Sequence, residues 1–372
     1  MHQTSHAKLT TNQETLLESI VPNIPQDELE QFAVNLLAAG GATQAEADTV
    51  GRSLVSANMR GYESHGVMRI PFYLQMLKAG DIVSGADLEI VNQSESRVVA
   101  DAHWGFGRVQ AGQLMEMLID RAKSNGIGVG TILQSAHIGR LGEYCELAAA
   151  EGLISMLMVN SHGAVHRVAP SGGRASRLGT NPIAIGTPHR DEPLVADFST
   201  SATAEGKVRV KHIAGEECPP GWIVDSEGNP STNPGDLYAD PPGAILPMGG
   251  AQAYKGFGLS LMVEILTGAL SGGLCSREVA ESPKGNCVFM LLLNPAEFGG
   301  ADRFRTEVED LVDFVRSCPT APGHERIILP GDPERMVMAD RQQNGCPFDD
   351  ENWCKLTSLA EELGVEPPLG GA

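Results

Sequence analysis

Two histidine-containing segments carry the residue types needed to reduce a carbonyl that lies next to a carboxylate. Residues 60–69 (RGYESHGVMR) place Ser64 beside His65, with Arg69 four positions on, and SAHIGRLG contains His137. Histidine titrates near neutral pH and can supply the proton, and arginine's planar guanidinium can hold the acid group. Hydride must come from a cofactor, because no side chain carries one. These segments predict a reductase of small 2-oxoacids.

Composition limits the class of protein. A chain of 372 residues exceeds the usual size of one hydrophobic core, so we expect two domains. A formal net charge of −20 makes nucleic-acid binding improbable but is compatible with a small anionic substrate bound in a locally basic cleft. Seven cysteines without a CxxC pair suit a reducing cytosol. We find no signal-peptide pattern and no membrane-length apolar run, so we expect a soluble cytoplasmic protein.

The N-terminal third has the pattern of helices. An apolar helical face ends near Gly40, and Thr43 with Glu46 forms a capping box that begins a second helix, which ends near Gly61. Pro71 disfavours helical geometry at the preceding residue, so residues 64–70 are predicted as a turn before a short helix over 71–80. The chemistry therefore lies just after a helix end.

The middle of the chain alternates between strand and helix patterns. Helices are predicted over 108–125 and 142–151, between the strands GIGVGTIL and LISMLMVN. Gly- and Pro-rich loops with short strands follow as far as residue 250, and then a buried helix over 258–270 and the strand CVFMLLLN. Two more helices, over 301–315 and 349–363, end the chain.

This order of patterns predicts an α/β fold with a mixed-sheet, non-Rossmann cofactor domain (86–299) inserted into a helical domain made from both chain ends (1–85 and 300–372). The dinucleotide fingerprint GxGxxG is absent from a strand-to-helix setting, since GIGVG begins a strand. Other turns can bind phosphate through backbone N–H groups, namely LGTNP, LPGDPE and the segment AYKGFGL that contains Lys255. Each of these three signals is weak alone.

Taken together and in order, the segments resemble the malate/L-lactate dehydrogenase family that lacks a Rossmann fold, which includes ureidoglycolate and sulfolactate dehydrogenases, diketogulonate reductase and piperideine-2-carboxylate reductase. The resemblance runs over nearly the whole chain after residue 25. The segments that carry it are ESHGVMRIPFYLQMLKAG, SAHIGRLGEYCELAAAEGLIS, VAPSGG with LGTNPIAIGTP, VADFSTSATAEGKV, LPMGGAQAYKGFGLSLMVEILTGALSG and LPGDPE.

The resemblance implies an enzyme that uses NAD or NADP and forms an intertwined homodimer. It implies that His65 transfers the proton beside Ser64 and Arg69, and that His137 is a second active-site histidine, which takes the acid/base role in some members. It also implies a set of cofactor-binding residues, namely Asp197, Ser199, Thr200, Lys255, Gly331, Asp332 and Pro333.

Two departures from the family pattern leave the substrate open. Glu63 stands where the family usually has aspartate, and the segment NSHGAVHRVAPSGG, with His162 and His166, is unusually rich in histidine. The resemblance implies a substrate that is a 2-hydroxy or 2-oxo acid such as malate or lactate, or alternatively a cyclic 2-imino acid.

Other readings of the same residues stay open at this level. From residue type alone, Arg69 fits a surface cation and Asp197 a turn aspartate, while Asp197 also suits the orientation of a histidine or a contact with the cofactor ribose. A metal-dependent hydrolase that uses His65, His137, His162 and Asp197 is a rival class, although no ligand spacing supports it. A nucleotide-binding regulator without catalysis would lack the SHG and SAH segments.

Overall fold

The computed structural model describes residues 23–278 and 285–368. The helices are α1 (Gln26–Ala39), α2 (Gln44–Met59), α3 (Ile70–Ala79), α4 (Gly107–Asn125), α5 (Leu141–Ala150), α6 (Glu205–Ala214), α7 (Tyr254–Glu264), α8 (Ala301–Arg316), α9 (Asp332–Asn344) and α10 (Asp350–Leu363). The strands are β1 (Asn23–Ile24), β2 (Glu89–Gln93), β3 (Arg97–Asp101), β4 (Ile127–Ser135), β5 (Ile154–Asn160), β6 (Ile183–Thr187), β7 (Leu194–Phe198), β8 (Ile223–Val224), β9 (Pro230–Ser231), β10 (Ala244–Ile245), β11 (Asn286–Leu293) and β12 (Cys346–Pro347).

The predicted capping box at the start of α2 is confirmed. Thr43 Oγ1 accepts a hydrogen bond from the Glu46 N–H at 3.3 Å, and the Glu46 carboxylate accepts the Thr43 N–H at 2.9 Å. The same carboxylate accepts the Ser84 hydroxyl at 2.7 Å and the Gly85 N–H at 2.8 Å. The cap therefore also holds the chain that leads from α3 into the sheet.

The segment predicted as a simple turn, 64–70, is more ordered than expected. It forms two short 3₁₀ turns, Glu63–His65 and Val67–Arg69, and α3 begins at Ile70, with Pro71 in its first turn. Asn58 of α2 accepts the Val67 N–H at 2.7 Å, and a Cβ on Gly66 would lie 2.1 Å from the Asn58 oxygen. A buried amide and a bare glycine thus fix the backbone that carries His65.

Both chain ends contribute to one helical core. Strand β1 pairs antiparallel with β12, with Ile24 opposite Cys346. Leu356 and Ala360 of α10 are fully buried in the same cluster as Leu29 of α1. The expected fold class, a helical unit interrupted by a sheet unit, is confirmed.

The central sheet is mixed, as predicted. Its seven strands run in the order β2-β3-β4-β11-β5-β6-β7, and only the β3–β4 pair among them is parallel. Alternate residues of β11 point to opposite faces: Val288 and Met290 pack in the cluster that contains α4 and α5, whereas Phe289 packs with Val263 of α7. Strand β4 ends just before His137, so the sheet delivers that histidine to the helical unit.

Three parts of the predicted secondary structure are corrected. Helices α6 and α9 lie in segments that we predicted as loops or turns. In α9, Pro333 stands in the first turn, where its fixed φ suits a helix start. The helix predicted as buried over 258–270 begins at Tyr254, continues as a π-helical turn (Ile265–Ala269), and exposes apolar side chains. These are Leu261, Met262, Ile265 and Leu270, with 40%, 48%, 45% and 56% of their surface exposed.

Within residues 23–278 and 285–368, no helix combines the length and the apolar character that a membrane crossing requires. Residues 1–22, on which the expectation of no signal peptide rests, lie outside the described residues.

Candidate active site

The two predicted histidines meet. The rings of His65 and His137 are stacked, with centroids 5.3 Å apart and planes 30° from parallel. His65 comes from the 3₁₀ turn after α2, and His137 from the loop between β4 and α5. Both residues are half-buried. The pair therefore lies where the helical unit packs on the end of the sheet.

Ser64 and Arg69 lie beside His65 and are linked to each other. The Ser64 hydroxyl is 3.0 Å from Nδ1 of His65, and Arg69 Nε donates to the Ser64 carbonyl at 2.6 Å. This bond uses one edge of the guanidinium and does not involve Nη1 or Nη2. Fixing one edge of the planar fork leaves the side chain oriented for a carboxylate.

A buried arginine, absent from the predicted site residues, holds the backbone of the histidine pair in place. The side chain of Arg108, at the start of α4, is 1% exposed and lies 3.9 Å from the Glu143 carboxylate. It donates to the Ser53 hydroxyl and to the His65 carbonyl, the latter at 2.6 Å. Ser53 in turn donates to Glu143 at 2.6 Å. Arg108 thus ties the His65 backbone to α2, α4 and α5.

Tyr73 of α3 links Arg108 to the second histidine. Its hydroxyl lies 2.7 Å from Nδ1 of His137 and 3.5 Å from Nε of Arg108. The sequence contains a local indication for each of these residues. Tyr73 follows Arg69 by one helical turn, and Arg108 lies on the same buried face of α4 as Ala111. An arginine on an apolar helix face needs a buried hydrogen-bond or ion-pair partner, so such a position indicates a structural or functional site.

The surroundings keep both imidazoles neutral. Burial, with the positive charges of Arg69, Arg108 and Arg140, lowers the pKa of His65 to about 3. Burial, with Arg69, His65 and Arg108, also holds the pKa of His137 well below its usual value. A neutral imidazole can accept a proton from a substrate hydroxyl. A carboxylate bound at Arg69 would offset part of the cationic field and raise both pKa values.

A cleft of about 540 Å³ lies near the histidine pair, and neither histidine belongs to its described lining. Tyr62 lies between the pair and the cleft, with its ring edge-on to His65 at 6.2 Å and its hydroxyl donating to Glu334 at 2.8 Å. The Arg140 guanidinium lies 5.8 Å from the centroid of the Tyr62 ring. Arg140, Glu334 and Asp197 all line the cleft. Tyr62 thus connects the histidine pair to this cleft, which extends to the start of α9.

The charges of this cleft fit a dinucleotide. Guanidinium groups suit a pyrophosphate, and carboxylates can accept ribose hydroxyls. Nε of Arg140 is buried and has no hydrogen-bond partner among the described residues. Gly331, at φ +90°, precedes α9, and a Cβ there would lie 2.7 Å from Nη1 of Arg335, so a bare backbone borders the cleft at a helix N-terminus. The charged residues that line it are Arg60, Arg140, Arg190, Arg335, Glu146, Asp191, Glu192, Asp197 and Glu334.

The structure brings together some of the residues predicted to bind cofactor. Asp197 and Gly331 line the cleft, and Pro333 lies in the first turn of α9 beside it. The Asp332 carboxylate is engaged locally, because it accepts the Leu329 N–H at 2.8 Å and an Arg335 N–H at 2.6 Å.

The remaining members of that set lie apart from the cleft lining. The Thr200 hydroxyl is buried and donates to the Thr180 carbonyl at 3.1 Å, and Ser199 accepts the Ser201 hydroxyl at 3.1 Å. Lys255 is exposed at the start of α7 and is absent from the described lining of the cleft.

Asp197 has an unusual protonation equilibrium. Burial raises the pKa of its carboxyl to about 6, although its Oδ2 accepts the Gly142 N–H at 2.7 Å. The pKa of Asp197 is higher in the folded than in the unfolded protein. Its contribution to the unfolding free energy is therefore fully present below about pH 4, and it is lost as the pH rises through about 6.

Replacing Asp197 with asparagine should therefore raise stability relative to wild type at pH 8 and leave it similar at pH 4. Asparagine keeps an acceptor for Gly142 and removes the buried charge. We expect a gain in unfolding free energy on the order of 2 kcal/mol at the higher pH. Urea unfolding at both pH values measures it, and a variant that loses stability as the pH rises would contradict the buried ionisation.

The set proposed for the rival metal-dependent hydrolase is not assembled. His162 packs edge-on to Trp104, with ring centroids 4.9 Å apart, whereas Asp197 is bound to the N-terminus of α5. Throughout the part of the chain that the structure describes, no three or more His, Cys, Asp or Glu residues form a group suited to a metal ion.

Comparisons with known proteins assign this fold to a family. A family model described as malate/L-lactate dehydrogenase matches residues 24–357. The chain belongs to the malate/L-lactate dehydrogenase family. The match covers α1 to α9, both histidine segments and the residues that line the cleft, so this member of the family is an oxidoreductase.

Individual relatives cover nearly all of the chain. The malate dehydrogenase of Pyrococcus abyssi is 34% identical over 350 residues, which are 92% of this chain and 95% of that protein. The L-lactate dehydrogenase of Cupriavidus necator is 35% identical over 344 residues, 91% of this chain and 97% of that one. The solved delta1-piperideine-2-carboxylate reductase of Pseudomonas syringae pvar. tomato is 31% identical, with a TM-score of 0.79 over 91% of this chain and 99% of that one.

Proposed function

We propose that this family member transfers hydride between NAD or NADP and the 2-carbon of a small 2-hydroxy or 2-oxo acid such as malate or lactate. The observation that carries the proposal is the stacked His65–His137 pair beside Arg69, near a cleft lined by four arginines and five carboxylates. Nicotinamide, when bound, supplies or takes up the hydride. The cleft residues Arg140, Asp197 and Gly331 hold the cofactor.

The chain's own groups handle the acid and the proton. Arg69 holds the substrate carboxylate through the guanidinium edge that Ser64 leaves open. His65, neutral before substrate binds, accepts the hydroxyl proton as the 2-hydroxy acid is oxidised and returns it in the reverse direction. Ser64 orients the His65 ring through Nδ1. Tyr62 packs edge-on against His65 on the side of the cleft.

A second substrate class is a cyclic 2-imino acid, which also carries a carboxylate beside the carbon that receives hydride. The similarity to the solved piperideine-carboxylate reductase favours testing it. The cationic surroundings of His65 and His137 favour a neutral carbonyl over a protonated imine.

We also propose a cytoplasmic homodimer. The apolar side chains exposed along α7 and its π-helical turn, which include Leu261 and Leu270, need a covering surface. Phe314 of α8, 76% exposed, adds a second apolar site. Sedimentation equilibrium should give twice the monomer mass, and a purely monomeric protein at micromolar concentration would contradict the proposal.

The test of the activity is a substrate panel with the purified protein. Malate, lactate, sulfolactate, ureidoglycolate and cyclic imino acids are each assayed with both nicotinamide cofactors by nicotinamide absorbance, in both directions. We expect turnover with at least one 2-hydroxy acid. Binding of neither cofactor in a nicotinamide fluorescence titration would contradict the proposed function.

Replacing Arg69 with lysine should raise KM for the hydroxy acid by about tenfold and change kcat little. Lysine keeps the charge but loses the planar fork that makes two parallel hydrogen bonds to a carboxylate. Steady-state kinetics measure the split between KM and kcat, with Arg121→Lys, on α4 and hydrogen-bonded to Gln93, as the control. An unchanged KM would place the carboxylate elsewhere.

A further inference from the structure

The hydrogen-bond chain from Arg108 through Tyr73 to His137 fixes where one proton lies. Tyr73 is 2% exposed and Arg108 is 3% exposed, so water does not compete for this chain. The Tyr73 oxygen lies between Nε of Arg108 and Nδ1 of His137, at 3.5 Å and 2.7 Å. Arg108 is cationic and has no acceptor lone pair, so its N–H points at the Tyr73 oxygen.

The phenol proton must then point toward His137. Among the described residues, the hydrogen bonds of the Tyr73 hydroxyl are those with Arg108 and His137, and only the imidazole can accept. If Nδ1 of His137 carried a proton instead, two donors would face the Tyr73 oxygen and the phenol proton would have no acceptor in a buried place.

The other groups around His137 act in the same direction. The charged or titratable side chains that act on its ring are Arg69, His65 and Arg108, two of them permanent cations. A second proton on this ring would add a charge beside them. The ring of His65 differs, because its Nδ1 meets the Ser64 hydroxyl, which can either donate or accept.

We infer that Tyr73 and Arg108 lock His137 as the neutral tautomer protonated at Nε2, so that it donates a hydrogen bond to the substrate oxygen while His65 alone exchanges the proton. Tyr73 and Arg108 are positioning residues in this assignment. The inference rests on the proposed function for its catalytic part, but the tautomer itself is a property of the ligand-free protein.

Nitrogen-15 NMR of the histidine-labelled full chain tests the tautomer without any assay of activity. The signal of His137, assigned from its absence in His137→Gln, should show an unprotonated Nδ1 and a protonated Nε2 across about pH 5 to 8. Tyr73→Phe should abolish this pattern and give a mixture of tautomers or a titrating ring. A wild-type His137 protonated at Nδ1, or one that titrates in this range, overturns the inference.

Kinetics test the division of roles. In wild type, the pH profile of kcat, which reports the enzyme–substrate complex, should show the ionisation of His65 and none of His137, and Tyr73→Phe should lower kcat about tenfold and add an ionisation of His137. Tyr144→Phe is the matched control, because Tyr144 is equally buried and its hydroxyl donates only to a backbone carbonyl, at 2.7 Å. An identical change in the control, or an unchanged profile in Tyr73→Phe, overturns the role. Wild-type inactivity would refute the proposed function and leave the NMR result to stand alone.

Discussion

His65→Ala should lower kcat for oxidation of the hydroxy acid by at least about 100-fold, with a small change in KM. The imidazole lies at the stacked pair; its pKa, lowered to about 3, leaves the ring neutral throughout the neutral range, and a substrate carboxylate on Arg69 raises its basicity when the proton is transferred. Its loss leaves the hydroxyl proton to water. Substrate binding depends mainly on Arg69, so KM is expected to hold. Steady-state kinetics on a hydroxy acid found in the panel measure both.

Ser64→Ala is the control for this variant. It removes the partner of Nδ1 and keeps the ring, so we expect a loss several times smaller than that of His65→Ala. Turnover that survives in His65→Ala and falls in His137→Gln would transfer the proton role to His137.

Leu356→Ala should lower the unfolding free energy by about 2–5 kcal/mol. Leu356 of α10 is fully buried in the cluster that contains Leu29 and Leu54, far away in sequence. Truncation to alanine would leave a cavity in the helical core that both chain ends form. The segment that contains His65 packs against this core. Urea unfolding monitored by circular dichroism measures the loss.

Leu147→Ala serves as its control, because Leu147 is 49% exposed on α5. The same truncation there should cost well under 1 kcal/mol. Equal losses in the two variants would mean that α10 does not complete the N-terminal core.

The elements of the fold could be predicted where a short sequence pattern favours the same structure that tertiary packing stabilises. The capping box at Thr43, the strand of Val288 and Met290, and the helical ends each follow from a short pattern, and the structure has all three. Helix α6 was missed because it lies in a stretch rich in glycine and proline, and α9 because the LPGDPE segment at its start has the composition of a turn. The exposed face around Leu261 has an apolar composition, which on its own predicts burial within one chain.

The residues proposed to contact substrate could be predicted from the sequence, whereas the buried residues that hold them in place could not. The neighbours of His65 lie close in sequence, so motif spacing identifies Ser64 and Arg69. Arg108 and Glu143 reach the site through tertiary packing, with Ser53 between them, and no local pattern brings these three together. The orientation of His137 likewise depends on Tyr73, which lies 64 positions away.

The most direct test of the proposed active site is a crystal structure of the protein with a nicotinamide cofactor and a 2-oxoacid analogue such as oxamate. The cofactor is NADH, or NADPH if the substrate panel shows higher activity with it. We predict the nicotinamide ring beside His65 and His137, the analogue's carboxylate on Arg69, and the rest of the dinucleotide in the cleft lined by Arg140, Asp197 and Gly331. A dinucleotide bound elsewhere, with the two imidazoles remote from its nicotinamide, would contradict the account.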